Sequence, residues 1–410
     1  YDIKVGISMV SYVDKHMKCV NTEPITLILD ETKFMQVMKQ LDIDETEARK
    51  IPKTQAYANH LGDRDLLQLY TNNDKLHIIA RIMGFLYADG SINIYTKKRG
   101  YKEFQCAFDF GRYGDATRFN NDVTSCGFVS AKITEGIRTF TCKDSNRSQT
   151  HHTFSCIYNG CFPAFLISLG VSFGKKTETE RNPIPDWIMD NVDYGVQFMS
   201  GFQGGDGCKI SWFNTIDSRR KSGSQTVQLI RTANTVQHIH PTHVESLKHF
   251  MNQCIYILRQ AGVNTTQPVA LVKNINDTRM CVSYTVSSNN TNLIQYFDRI
   301  GYAYAETKET QSFKVVEYLK SKYEYSRSNV GKFVEYDTWL LENVHESNGF
   351  LYVSVASIVP ESDGMVSDIE VDSSNHSFIA ASGFASSNCA MGKQAMGVYV
   401  TNYQERMDKT

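Results

Sequence analysis

The chain lacks a run of 18 apolar residues, which excludes an obvious membrane-spanning helix. No signal peptide opens it, and its first residue is Tyr1 rather than Met, as expected for a fragment or a processed product. Its ten cysteines include no CxxC, and the closest two are Cys156 and Cys161, so neither a disulfide framework nor a zinc ribbon is indicated. Reduced thiols in an intracellular protein are expected instead. The run HIHPTH (His238, His240, His243) matches no common zinc spacing and is broken by Pro241. A strong charge of either sign is also missing. The net charge of −1 does not announce a polyanion partner, so a nucleic-acid surface would have to come from local clusters.

What is present is an ordinary globular composition, 41% hydrophobic and 21% charged, in 410 residues. That length is too great for one core and implies two or three domains. Two stretches stand out. Residues 81–90 read RIMGFLYADG and residues 198–207 read FMSGFQGGDG. Each is an apolar helix with an early glycine and a terminal Asp-Gly. The two aspartates, Asp89 and Asp206, are 117 positions apart (206 − 89).

The surroundings repeat as well. After each Asp-Gly comes an alternating stretch that predicts a β-hairpin. The first hairpin turns at Lys97, Lys98, Arg99 and Gly100, the second at Arg219, Arg220, Lys221 and Gly223. A helix ending in glycine, further strands and a closing helix that runs into glycine follow in each half. The order is α-ββ-α-ββ-α, twice, over residues 75–320. If the halves pack about a pseudo-twofold axis, the motif helices form its seam. Gly84 and Ala88 on one helix, and Gly201, Gly204 and Gly205 on the other, allow close backbone approach. Asp89 and Asp206 then meet at two dipole-negative helix ends, where their repulsion would be relieved by divalent cations. Oxygen-only ligands favour Mg²⁺, which can support phosphodiester hydrolysis. The basic turns would sit at the far ends of two sheets that form a saddle suited to a DNA major groove.

These paired motifs resemble those of the LAGLIDADG homing endonucleases in their single-chain, two-repeat form. The resemblance implies an α+β fold of two pseudo-twofold αββαββα repeats forming a saddle, with Asp89 and Asp206 as metal-binding acids. The second motif departs from the family pattern at Gln203 and Gly204, while its acid is kept. The family often adds a lysine per half. Lys308, in IGYAYAETK, matches in the second half. In the first, FGKKTETERNPIP offers Lys175, Lys176 and Arg181, with Asn182 nearest the family's position, and Lys176 is taken as the candidate. Such a lysine would stabilise phosphate charge or position the attacking water.

The tail carries a second resemblance. Residues 368–389 read DIEVDSSNHSFIAASGFASSNC. An Asn side chain can cyclise onto its own backbone carbonyl, and a following thiol accepts acyl groups. With His376 twelve residues upstream, this stretch resembles the C-terminal splicing blocks of an intein, the C-terminal half of an all-β Hint domain. The resemblance implies that Asn388 cyclises, that Cys389 receives the acyl group, that His376 assists proton transfer and that Asp368 is the first acid of its block. Ser387 stands where His is usual before the Asn. Residues 389–410, including Lys393, resemble the active-centre region of the second-largest subunit of RNA polymerase II or a viral relative. A complete intein begins with Cys or Ser and soon shows Thr-x-x-His. Neither Tyr1 nor residues 1–74 supply this, so the N-terminal intein portion and N-extein are expected to be absent and splicing incomplete.

The sequence therefore predicts an N-terminal remnant or linker over 1–74, with LDIDETEARK as an acidic helix candidate. An endonuclease follows over 75–322 (repeats 75–190 and 191–322), then a splicing segment over 323–388 and an extein fragment over 389–410. The expected activity is metal-dependent, site-specific cutting of both DNA strands by a monomer, with no membrane partner. The target is the intein-less allele of the host gene, and the compartment is the nucleus or a viral factory. The alternative is a decayed, DNA-binding or maturase-like protein.

Overall fold

Asp30 starts the first helix of the molecule: its carboxylate accepts the Lys33 N–H at 2.7 Å, closing the cap of α1 (Glu31–Gln40). Phe34 and Met38, one turn apart on α1, are buried. They face the same neighbourhood as Tyr57, Ala58 and Leu61 of α2 (Lys53–Gly62). The short strands β1 (Leu27–Leu29) and β2 (Leu69–Tyr70) pair antiparallel beside them. Lys53 Nζ donates to the Lys102 carbonyl at 3.1 Å, and Lys102 Nζ donates to the Leu41 carbonyl at 3.1 Å. The region before residue 75, read from the sequence as a remnant or linker with a single helix candidate, holds two helices, and Lys53 and Lys102 tie it to the sheet that follows. The acidic helix candidate falls almost wholly on residues 42–51, which lie outside the described residues.

The computed structural model describes residues 2–3, 25–41, 52–96, 102–141, 148–217, 225–230, 233–272, 279–329, 332–347, 350–353, 358–359, 377–379 and 385–387. The chain divides into two compact units, Pro24–Val316 and a second made of Tyr1–Glu23 with Glu317–Thr410. Among the described residues no helix is long and apolar enough to cross a membrane.

In the larger unit the expected order recurs. The first motif helix, α3 (Leu76–Ala88), is followed by β3 (Gly90–Thr96), β4 (Lys102–Phe110), α4 (Tyr113–Ser125), β5 (Ile133–Thr141), β6 (Ser148–Asn159) and α5 (Cys161–Ser168). The strands form one antiparallel sheet in the order β3-β4-β6-β5. Alternation decides its two faces. Ile92, Phe104, Cys106, Phe108, Phe110, Cys156 and Tyr158 are buried under the helices. Ser91, Asn93, Gln105, Ala107 and Asp109 point the other way, opposite Asn159, Ile157 and Ser155 of β6. Phe85, Phe110 and Phe119 stack within the core, Phe85 and Phe110 with ring centroids 5.0 Å apart.

The second half runs α6 (Val192–Asp206), β7 (Trp212–Asp217), β8 (Gln225–Ile230), β9 (Asn234–Ile239), α7 (Val244–Gln260), β10 (Val269–Val272), β11 (Met280–Thr285) and α8 (Asn290–Arg299). Where the sequence predicts a hairpin of two strands before α7, the structure has three. β8 pairs with β7, and β9 joins the separate sheet β9-β11-β10. α4 and α7 each run into a glycine with positive φ, Gly127 at 92° and Gly262 at 81°, which stops both helices. Helix α9 (Glu306–Ser328) leaves this unit and enters the other.

The smaller unit, where described, is built on aromatics. Tyr318 on α9 meets Phe333, Tyr336 and Trp339, with ring centroids 5.6, 5.4 and 5.7 Å away. The last two sit on α10 (Tyr336–Asn343). Its strands are short antiparallel pairs: Val344–Ser347 with Phe350–Val353, Asp2–Ile3 with Ile358–Val359, and Ser377–Ile379 with Ala385–Ser387.

Candidate active site

Helix α3 is buried along most of its length, and α6 buries Tyr194, Phe198, Met199 and Phe202 with the glycines among them. Where they cross, no side chain fits. A Cβ on Gly84 would lie 1.9 Å from the Phe198 carbonyl oxygen, and one on Gly201 would lie 2.1 Å from that of Arg81. The two contacts interchange under the 117-residue offset, since 198 − 81 equals 201 − 84. The backbones therefore cross about a pseudo-twofold axis. Gly205 does the same further along: its Cβ would lie 2.5 Å from Ala88 Cβ and 3.0 Å from Asp89 Oδ2. Gly204, expected at this seam, faces elsewhere. A Cβ there would strike the Ala303 carbonyl at 1.8 Å, so its smallness admits the chain after α8.

The seam delivers the two acids together. Asp89 caps α3, its N–H bonded to the Phe85 carbonyl at 3.0 Å, and Asp206 is the last residue of α6. Each lies at the end where helix carbonyls are left over. Two lysines take up those carbonyls. Lys176 Nζ donates to Ala88 O at 2.6 Å and Tyr87 O at 3.3 Å. Lys308 Nζ donates to Gly204 O at 2.7 Å, Gly205 O at 2.9 Å and Gln203 O at 3.4 Å. The lysines are thus equivalent, each gripping the residues just before its own aspartate. Of the other first-half candidates, Lys175 pairs with Glu178 at the surface, and Asn182 donates to Gly170 O at 3.2 Å.

Electrostatics follow from crowding. Desolvation, then the charge of Asp206, raises the Asp89 carboxyl, although part of that side chain keeps access to solvent. Lys176 and Lys308 oppose the rise, and Asp109 on β4 adds to it. Desolvation also raises Asp206, against a hydrogen bond from Gln237 and the charges of Lys176, Arg181 and Lys308. Desolvation lowers both lysines, Lys176 to about 7. Two carboxylates and two ammonium groups are thus crowded together, with Asp89 exposed at the edge and Asp206 half-buried. A divalent cation fits this donor set, because hard carboxylate oxygens at raised pKa gain most from a cation. Among the described residues no group of three or more His, Cys, Asp or Glu that could hold a metal is found, and the acids at this seam are Asp89 and Asp206. The remaining positions would be left for water or phosphate oxygens.

Three polar residues stand around the acids: Gln203, read in the sequence only as a departure from the motif, Arg181, read only as a competitor for the first-half lysine, and Gln237, which sequence reasoning missed. Gln203 is wholly buried, and its amide meets Thr235 Oγ1 at 3.1 Å and Tyr284 Oη at 2.9 Å. Gln237 Nε2 donates to Asp206 Oδ2. Arg181 Nη2 donates to Tyr87 O and, at 3.1 Å, to Gln237 Oε1. A signal for Gln237 existed: alternation along β9 turns Thr235, Gln237 and Ile239 to one side, so the strand carries a polar residue at an inward position.

Besides the carboxylates of Glu103 and Asp109, the outward face of the first sheet carries the uncharged polar groups Ser91, Asn93, Gln105, Ser155 and Asn159. The basic turn residues Lys97, Lys98, Arg99, Arg219, Arg220 and Lys221 lie outside the described residues. So do His376, Asn388, Cys389, Asp368 and Lys393 of the tail.

No protein-family model matches the chain. Among curated proteins it is 26% identical over 401 residues to DNA-directed RNA polymerase subunit Rpo1N of Methanocaldococcus jannaschii, covering 95% of this chain and 27% of that protein. It is 24% identical over 307 residues to tRNA-splicing ligase RtcB of the same organism, covering 72% and 27%. It is 26% identical over 258 residues to that organism's replication factor C small subunit, covering 62% and 12%. The chain spans about a quarter or less of the length of these three relatives. Among solved structures it is similar to I-DmoI in complex with DNA and Mn, with TM-score 0.32 and 10% identity over 56% of this chain and 98% of that one. It is also similar to the I-SmaMI LAGLIDADG homing endonuclease bound to cleaved DNA, with TM-score 0.34 and 11% identity over 61% and 91%.

Proposed function

We propose that the chain is a LAGLIDADG-type homing endonuclease, cutting both strands of a specific DNA duplex, joined to the C-terminal part of an intein. The observation that carries the nuclease reading is the pair Asp89 and Asp206, brought together at a helix crossing that a pseudo-twofold axis relates. A duplex has two antiparallel strands related in the same way, so one acid per half suits one scissile phosphate per strand. When bound, Mg²⁺ or a similar divalent cation would supply charge neutralisation and an activated water. The chain's own part is to hold that site. Asp89 and Asp206 would ligate, and Lys176 and Lys308 would stay beside the helix ends with protons to offer a phosphate. The polar outer face of the sheet, with Asn93, Gln105 and Asn159, offers amides able to read base edges. Lys97, Lys98, Arg99, Arg219, Arg220 and Lys221 would add phosphate contacts.

The curated relatives support a separable insert. A polymerase subunit, an RNA ligase and a replication factor share no chemistry by name, yet each matches this chain over a fraction of its own length. A shared segment that is not the activity of any of them fits an element inserted into different host proteins. Here the host would be an RNA polymerase subunit gene, from the wording of residues 389–410, and the compartment would follow that host. In the tail, Asn388 would cyclise, with His376 assisting, and release Cys389. Incubation followed by mass spectrometry should detect cleavage between residues 388 and 389, and Asn388→Ala should prevent it. Cleavage undiminished in that variant would remove this assignment.

The alternative, a decayed DNA-binding or maturase-like protein, is motivated by the second motif's departures at Gln203 and Gly204 and by the several residues that compete for the first-half lysine. Gln203 and Gly204 have partners made for them, Thr235 and Tyr284 for the amide and Ala303 for the glycine, which favours a maintained motif. The deciding test is a plasmid carrying uninterrupted polymerase codons around the CAMGKQAMG stretch, incubated with the protein in Mg²⁺ and in EDTA. A Mg²⁺-dependent double-strand cut near the junction supports the nuclease. Binding by folded protein without cutting would move the reading to the alternative.

A further inference from the structure

The two halves of the site are not equal, and the inequality lies in one side-chain relay. Arg181 comes from the end of the first repeat and is 6% exposed. Its guanidinium lies between two rings, 5.0 Å from the centroid of Tyr87 and 4.7 Å from that of Phe250. From there Nη2 donates to Tyr87 O and to Gln237 Oε1. An arginine has only donors, so the Gln237 oxygen must face it and the Gln237 amide nitrogen must face away. That nitrogen donates to Asp206 Oδ2 and reaches Tyr87 O at 3.4 Å. The orientation of Gln237 is therefore imposed by a buried cation from the other repeat, and Gln237 in turn orients the Asp206 carboxylate. Nε of Arg181 is buried without a hydrogen-bond partner, beside a cavity of about 10 Å³ lined by Arg181, Lys176, Tyr87 and Ser172.

Among the described residues the first half has no such relay. In β4, Phe108 is opposite Gly90, and in the second half Thr235 is opposite Gly207. Counting on by two residues, Phe110 occupies the place of Gln237. Phe110 is an apolar ring stacked on Phe85, with no group to offer Asp89. Counting on by one, Asp109 stands where Val236 stands, each opposite a serine, Ser155 and Ser283. Asp89 thus has the acidic Asp109 nearby, and a phenylalanine ring in the place from which Gln237 holds Asp206.

Resting on the nuclease reading, we infer that Arg181 and Gln237 are positioning residues that fix Asp206 alone, and that the two strands are cut by inequivalent half-sites. A carboxylate held in its working orientation needs no reorganisation when a cation arrives, whereas one without a donor must be arranged by the cation itself. Loss of the relay should fall on one strand and leave the other.

The test compares the full chain with its Gln237→Met variant, which keeps the length of the side chain and removes its donor. Gln237→Asn, which keeps an amide but shortens it, serves as the second variant, and circular dichroism checks that each is folded. Each DNA strand carries a different 5′ label, and Mg²⁺ starts the reaction. The expected result is a rate that falls roughly tenfold on one strand, with a nicked intermediate confined to that strand, while the other strand stays within about twofold. A second readout needs no cutting. With Ca²⁺ in place of Mg²⁺, the gain in duplex affinity over EDTA should shrink in Gln237→Met, while affinity in EDTA is unchanged. A merely structural residue would slow both strands together and weaken binding in EDTA, and that pattern overturns the inference. So does an unchanged strand ratio with an unchanged Ca²⁺ gain. If the unaltered chain binds but cuts neither strand, the nuclease reading itself falls, and the relay's role falls with it.

Discussion

Gly84 and Phe198 meet so closely that a methyl group on the glycine would lie 1.9 Å from the phenylalanine's carbonyl oxygen. The obstacle is backbone, which cannot rotate aside. Gly84→Ala should therefore separate the motif helices and cost about 3 kcal/mol or more of stability. Gly201→Ala meets the Arg81 carbonyl in the mirror position and should behave alike. Thermal unfolding checks both, and an unchanged Tm in either would contradict the crossing.

Asp206→Asn should abolish cutting and yet leave the metal-free protein more stable at neutral pH. The folded carboxyl is raised above the ordinary 3.8, chiefly by desolvation, so the cost of ionising it grows as pH rises from about 3.8 and is complete above the raised value. The advantage of Asn should shrink as pH falls from that raised value and be gone below about 3.8, where the carboxyl is protonated in both folded and unfolded chains. Asp89→Asn should also abolish cutting, with duplex binding largely kept. Gel-shift and cleavage assays on each variant check this, and cutting that survives either substitution would sink the assignment of the pair.

Lys176 should titrate near neutrality. Desolvation lowers it from 10.5 to about 7 in the folded protein. Between those values the unfolded chain binds the extra proton, so this group makes stability rise with pH from about 7 toward 10.5. Lys176→Met should lack that rise. Calorimetry of both proteins across this window measures the difference, and parallel curves would show that the ammonium is solvated after all.

A divalent cation should relieve the repulsion between Asp89 and Asp206. Mn²⁺ or Mg²⁺ should raise the Tm of the unaltered chain at neutral pH, by an amount that grows with the logarithm of concentration once the site is saturated. The Asp89→Asn, Asp206→Asn double variant should show no such rise. An equal rise in both proteins would place the cation elsewhere.

The residues differ in how far the linear sequence exposes them. Asp89, Asp206, Gly84 and Gly201 can be read directly, because two apolar helices with the same glycine-to-aspartate spacing are themselves a local pattern. Lys176 and Lys308 are harder. They hold equivalent carbonyls, but from segments of different length, so counting from the acids leaves several basic residues competing. Helices α1 and α2 were not foreseen. α1 buries only Phe34 and Met38 along its length, too few apolar positions to show a period, and much of its helicity depends on packing against the rest of the unit.

By itself, the sequence determined the two motif helices, the hairpin that follows each, and the acid at each motif's end, since helix and strand periods and terminal glycines act over a few residues. Only the tertiary structure decided what stands around those acids. Arg181, Gln237 and Asp206 are widely separated along the chain, and their alignment depends on how one repeat's last segment packs into the other repeat. Likewise, Gly204 is small for the sake of Ala303, and Gln203 is polar for the sake of Thr235 and Tyr284. Such pairings are fixed by the shape of a closed core, which no stretch of sequence contains.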